Sequence, residues 1–167
     1  MRKIKDRLLL GLVSGLIGAT PGRLLNAAEY HRGIVDVKYG QMASSLFTGK
    51  KRVNTPEGKI LGSLANELLT ITTGTAITYT LSATGRDYAP LKGMGIGALY
   101  WFMLYGLNTN LKYSAKNERP YSHLLGLVDH LLFGALAGTV ASKLGDNSLF
   151  PDNSVKDQDE KQPLIFE

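Results

Sequence analysis

The sequence predicts an all-α, polytopic membrane helix bundle with three spans plus an N-terminal helix that either spans or re-enters. Three observations predict it. Charge is segmented: residues 1–7, 29–59, 112–119 and the tail after Lys143 hold nearly all of it, whereas residues 68–85 and 93–111 hold none. Each of those uncharged stretches approaches the ~20 residues a helix needs to cross about 30 Å of hydrocarbon. Tyr79, Tyr88, Tyr113 and Tyr121 lie toward segment ends, where amphipathic rings suit a membrane interface. A net charge of +5 and a mean hydropathy near zero, taken over all 167 residues, conceal this segmentation. A soluble one-domain bundle suits the length equally well, but "GMGIGALYWFMLYGLNTNL" lacks the charged outer face such a helix needs.

Taken in order, the first element is the least regular. "MRKIKDRLLLGLVSGLIGATPGRLLNAAEY" starts basic and continues apolar like a secretory signal, but no small-x-small cleavage pattern stands before Ala27 or Ala28, so retention is expected. Pro21 removes an amide and crowds the carbonyl four residues back, so the helix either kinks and continues to about Tyr30 or turns back at "TPGR". Basic loops prefer the cytoplasmic side, which weighs the two options. Four full spans divide the lysines and arginines outside Arg23 nine to nine; re-entry divides them thirteen to five. The charge rule therefore favours re-entry, and helix length permits a span.

The second, third and fourth segments are expected at 58–83, 90–111 and 121–144. "NTPEG" opens the second, with Thr55 as cap and Pro56 in the first turn. Lys50, Lys51 and Arg52 before it suit anionic lipid better than nucleic acid, for which the basic run is too short. The integral membrane domain is read as residues 1–144, and residues 145–167 as a polar, acidic, disordered tail.

Small residues mark the packing faces. Gly11, Gly15, Gly18 and Gly22 form one stripe on the first helix, and Gly93 with Gly97 and Gly134 with Gly138 repeat the spacing later. Such spacing lets helix backbones approach closely in lipid. Polar groups within apolar helices need a different explanation. Ser63, Asn66, Glu67, Thr70, Thr73 and Gly74 share one face of the second segment, away from Leu61, Leu64, Leu68 and Ile71. On the last segment His123 and His130 are seven apart on the small-residue face, so His130 points inward, with Asp129 about 100° around from it. Asp129 and His130, being adjacent, cannot chelate one ion. Their partners are expected on other helices, giving a buried network of Arg23, Asn26, Glu29, Asn66, Glu67, His123, Asp129 and His130.

Three uses of this network compete: polar glue that fixes helix register, a proton, ion or solute pathway, and a membrane-embedded metalloenzyme. Glue is preferred. There is no HExxH, P-loop, dinucleotide fingerprint or nucleophile elbow, and no cysteine for a thiol ligand. No catalytic residue, metal or cofactor is implied. The expected partners are the lipid bilayer and a second copy or another membrane protein.

"VNTPEGKILGSLAN", "TGRDYAPLKGMGIGALYW" and "DHLLFGALAG" resemble segments of small uncharacterised polytopic membrane proteins of Gram-positive, clostridia-like bacteria, over about residues 7–144. The resemblance implies several helices and a bacterial inner-membrane location, and it carries over no catalytic residue.

Overall fold

A computed structural model describes residues 3–110, 114–115 and 117–151, without the side chains of 107–110. The chain is all-helical over these residues: α1 (Arg7–His31), α2 (Tyr39–Thr48), α3 (Pro56–Thr84), α4 (Ala89–Asn110) and α5 (Pro120–Leu144), with a 3-10 turn at Asn147–Leu149. The four long helices run up and down alternately. The expected spans at 58–83, 90–111 and 121–144 coincide with α3, α4 and α5 to within two residues. Tyr113 and the tail beyond residue 151 lie outside the described residues.

Two corrections concern the N-terminal half. α1 is one helix through Pro21, so the chain does not turn back at "TPGR". The Thr20 hydroxyl donates to the Leu16 carbonyl at 3.0 Å, lending a bond beside the proline. Beyond it, Arg23 is held by a group on α3, which fixes the second half of the helix in the bundle. The 29–59 stretch, read as a basic loop, contains α2, packed on α3. Its charges lie around the helix rather than within "YGQMASSLFT", whose Met42, Ala43, Leu46 and Phe47 follow helical spacing.

Local signals set the boundaries. Asp6 Oδ1 accepts from the Leu9 amide at 2.7 Å, and Thr55 accepts from the Gly58 amide at 3.1 Å ahead of Pro56. α3 ends at Gly85, whose φ of 88° suits a residue without a Cβ. Lys92 Nζ then donates to the Thr84 and Gly85 carbonyls at 3.0 and 3.1 Å, satisfying the last turn.

One end of the bundle is sealed. The Ile4 amide donates to the Leu144 carbonyl and the Asp146 amide to the Ile4 carbonyl, both at 2.9 Å, and Arg86 lies over the Phe150 ring. Leu149 and Phe150 join Leu10, Ile77, Leu81, Ala137 and Ala141 in the main apolar cluster, so packing continues past Leu144, the expected end of the membrane domain. At the other end Asn117 Oδ1 accepts from the Asp36 and Val37 amides at 2.7 and 3.2 Å, tying the α1–α2 connection to the one before α5.

The distribution of polarity differs from that of a water-soluble bundle. Leu24, Leu68, Phe102 and Leu124, one on each long helix, are each at least 65% exposed, whereas Ser14, Thr73 and Thr78 are completely buried. Two of the described helices, α1 and α5, are long and apolar enough to cross a membrane, with mean hydropathies of 1.5 and 1.7 over their most apolar 18 residues, fewer than the three or four expected. The physical reason on α3 is its seven threonines and its Glu57, Lys59 and Glu67, which dilute the leucines.

Candidate functional site

The glycine stripes bring backbones into contact. A side chain at Gly93 would overlap the Gly134 carbonyl, and one at Gly134 the Gly93 carbonyl, so α4 and α5 touch main chain to main chain. Gly97 faces the His130 carbonyl, and Gly138 the Ala89 carbonyl. On α1 the stripe divides between two neighbours. Gly11 meets Thr75 and Gly15 meets Thr70 and Gly74 on α3, while Gly18 abuts Ala137 and Gly22 approaches the Asp129 carbonyl on α5. Most of these contacts lie in the half of the bundle toward the sealed end.

The polar residues gather in the other half, and they form two sets. In the first, Arg23 on α1 and Glu67 on α3 make a bidentate pair, Nη1 to Oε1 at 2.5 Å and Nη2 to Oε2 at 2.7 Å, with Thr70 Oγ1 at 3.4 Å from Nη2. The two side chains are 31% and 33% exposed, so the pair is neither a fully solvated surface bridge nor a dry one. Its planar fork fixes the register of α1 against α3.

The second set is organised by a residue that the sequence reading passed over. The Tyr39 hydroxyl, at the start of α2, donates to Asp129 Oδ2 on α5 at 2.6 Å, and the Tyr39 amide donates to Asn26 Oδ1 on α1 at 3.0 Å. The Tyr39 ring also meets the His130 ring edge-on at 5.6 Å. One residue, through its amide and its side chain, thus connects three elements. Burial, followed by the neighbouring Asp129 carboxylate, pushes the Tyr39 phenol well above its ordinary range, so it stays a donor at neutral pH. The only sequence signal was the helical spacing after "KYG", hidden inside a charged stretch.

The remaining expected members are distributed differently. His130 Nδ1 lies 2.7 Å from the Gly126 carbonyl of its own helix; a carbonyl only accepts, so Nδ1 carries the proton. His123 packs edge-on against Tyr105 at 5.2 Å. Glu29 lies close enough for its charge to act on Tyr39, although its Oε2 is buried without a hydrogen-bond partner among the described residues. Glu67 pairs with Arg23 and Asp129 with Tyr39, so the single network expected from sequence is divided. Ser63, assigned to the polar face of α3, is exposed. Among the described residues no three His, Asp or Glu side chains converge as a metal site would require.

Two cavities flank these contacts. The inner one, about 250 Å³, is bounded mainly by apolar side chains such as Ala43, Leu69, Leu104 and Phe133, with Asp129 and His130 in its wall. The outer one, about 290 Å³, lies toward the α2 end and is bounded by polar groups including Lys38, Gln41, Lys59 and Glu67. Arg23, Tyr39 and Asn66 belong to both walls. No protein family, curated protein or solved structure matches the chain.

Proposed function

We propose that this chain is a multi-pass integral membrane protein that crosses the bilayer with α1, α3, α4 and α5 and acts through helix association around its buried polar pairs. The observation that carries this reading is the polarity: large apolar side chains such as Leu24, Leu68 and Phe102 face outward, while serines, threonines and an aspartate are buried alongside the apolar cluster. In water that arrangement exposes apolar surface and buries polar groups, both unfavourable; in hydrocarbon both terms change sign or vanish. α1 and α5 supply the length and apolarity. α3 and α4 pack beside them as antiparallel neighbours and so lie at the same depth. The threonines of α3 do not oppose this, because Thr72, Thr73, Thr80 and Thr84 each donate to the carbonyl four residues back, at 2.8–2.9 Å.

Association rather than conduction is supported by the backbone contacts at Gly11, Gly15, Gly74, Gly93 and Gly134, which fill the half of the bundle opposite the cavities. A solute pathway is the second reading, favoured by the two adjoining cavities, which supply half of such a route. The partner is the bilayer, in a bacterial inner membrane if the resemblance of the sequence holds, and the reading is of a non-enzymatic protein.

Substituting Leu68 by Lys tests the membrane reading. In hydrocarbon the ammonium at mid-helix costs about 2.5–3.5 kcal/mol of insertion, and the variant should accumulate poorly in membranes. On a water-exposed face the same change stays within about 0.5 kcal/mol, and normal accumulation would refute the proposal. His130→Gln separates the two uses: glue predicts a folded protein with unchanged flux in proteoliposomes, whereas a proton pathway predicts a folded protein that has lost it.

A further inference from the structure

The two cavities adjoin along Arg23, Tyr39 and Asn66 yet differ in character, and that difference specifies a ligand. The inner chamber presents Ala43, Leu46, Leu69, Leu104 and Phe133. α3 and α4 are joined at the sealed end through Gly85–Tyr88, and both line this chamber toward the other end. The outward side chains near it, Phe47, Leu68, Phe102 and Met103, are 54–69% exposed and apolar. A molecule entering there comes from hydrocarbon.

The outer cavity is basic. Its walls hold Arg23, Lys38 and Lys59 against the single carboxylate of Glu67, an excess of two positive charges. Glu67 is already engaged by Arg23, and neither lysine forms an ion pair among the described residues. Along α3 the two cavities extend from Lys59 to Thr73, fourteen residues or about 21 Å of helix. An elongated molecule with one apolar end and one anionic end matches that sequence of walls. The inner volume, about 250 Å³, falls just below the ~300–1,000 Å³ of drug-sized sites and suits one hydrocarbon chain rather than two.

We infer that the chain binds a single-chain anionic amphiphile, with its tail between α3 and α4 and its carboxylate or phosphate beside Lys38 and Lys59. The inference rests on the membrane reading for the route of entry. Arg23, Tyr39 and Asn66 form the collar between tail and head, and the Arg23–Glu67 pair holds that collar in place.

The test uses the full chain purified in a mild detergent and four probes with a common tail: laurate, lauryl phosphate, lauroyl glycerol and lauryl ammonium. Laurate and lauryl phosphate should bind at least tenfold more tightly than the neutral glycerol ester, and lauryl ammonium most weakly. The ratio of the first two identifies carboxylate or phosphate as the preferred head. Replacing both Lys38 and Lys59 by Gln should remove the anionic preference and its salt dependence while leaving lauroyl glycerol unchanged. Ala43→Trp, which fills the inner chamber, should weaken all four, its melting temperature showing that it is folded. Equal binding of neutral and anionic probes, or anionic binding indifferent to the lysine substitutions, overturns the proposal. Retention of the chain in membranes washed with high salt and urea is scored separately. If it is retained but shows no anionic preference, only the ligand is wrong; if it washes off, the membrane reading has failed.

Discussion

The two halves of the bundle achieve cohesion by opposite means. Toward the sealed end, helices meet through glycines, main chain against main chain, with Ile4 and the 145–150 segment closing the end. Toward α2, one glycine contact remains, Gly62 of α3 against the Gly40 carbonyl of α2, and the long helices are connected there by specific polar pairs, Arg23 with Glu67 and Tyr39 with Asp129, with cavities beside them. In lipid the apolar effect does not draw helices together, so a contact must come from close packing or from hydrogen bonds. Close packing leaves no room and hydrogen bonds tolerate it, and the two cavities described above lie beside the polar pairs.

That contrast predicts unequal sensitivities. The largest effect is expected at the glycine contact. Gly134→Leu places a side chain on the Gly93 carbonyl, which cannot move without displacing α4, and should cost about 4 kcal/mol or more, or prevent folding. Gly95→Leu is the control: nothing lies within 4 Å of its missing Cβ, so the melting temperature in detergent should hardly change. Equal losses at the two positions would show that glycine matters for some reason other than packing.

A smaller loss is expected on the polar side. Glu67→Gln leaves the Arg23 guanidinium without its counter-charge. With both side chains about one-third exposed, the cost should fall near 2 kcal/mol, between exposed and buried pairs. Replacing Arg23 and Glu67 together by Met should recover much of this, and failure to recover would mean that the pair contributes beyond register.

Tyr39→Phe takes a donor from the buried Asp129 carboxylate and should cost about 1.5 kcal/mol, and it carries a pH signature. The folded-state pKa of this phenol is raised, so its contribution is complete below the unfolded value near 10 and is lost as pH rises from there toward the folded value. Melts of the parent should therefore fall above about pH 10 more steeply than those of the Phe variant. Parallel curves would remove Tyr39 from the account.

How much of this was legible in the sequence differs between the halves as well. The glycine contacts follow from three- and four-residue spacing, a geometric regularity that needs no knowledge of the partner. The ends of α3, α4 and α5 were legible because uncharged runs, Thr55 and Pro56 mark them locally. The polar half was legible only as a set of residues needing partners. Arg23 and Glu67 were both named, but their pairing depends on how α1 and α3 are juxtaposed, 44 residues apart in sequence. The hydrogen-bond donor to Asp129 was missed because Tyr39 sits on α2, a helix of 10 residues hidden in a charged stretch. Lysine counting favoured re-entry of the first segment, yet α1 continues straight through Pro21, because contacts on both sides of the proline, at Gly18 and at Arg23, hold it in the bundle.

The central claim is that α1 crosses the membrane, placing the sealed end and the α2 end on opposite sides. The sequence has no cysteine, so single cysteines at Lys3, Lys51 and Arg86 can be read without background using an impermeant thiol reagent on intact cells. The account predicts that Lys3→Cys and Arg86→Cys label alike and that Lys51→Cys labels oppositely. Matching accessibility at Lys3 and Lys51 would put both ends of α1 on one side and contradict it.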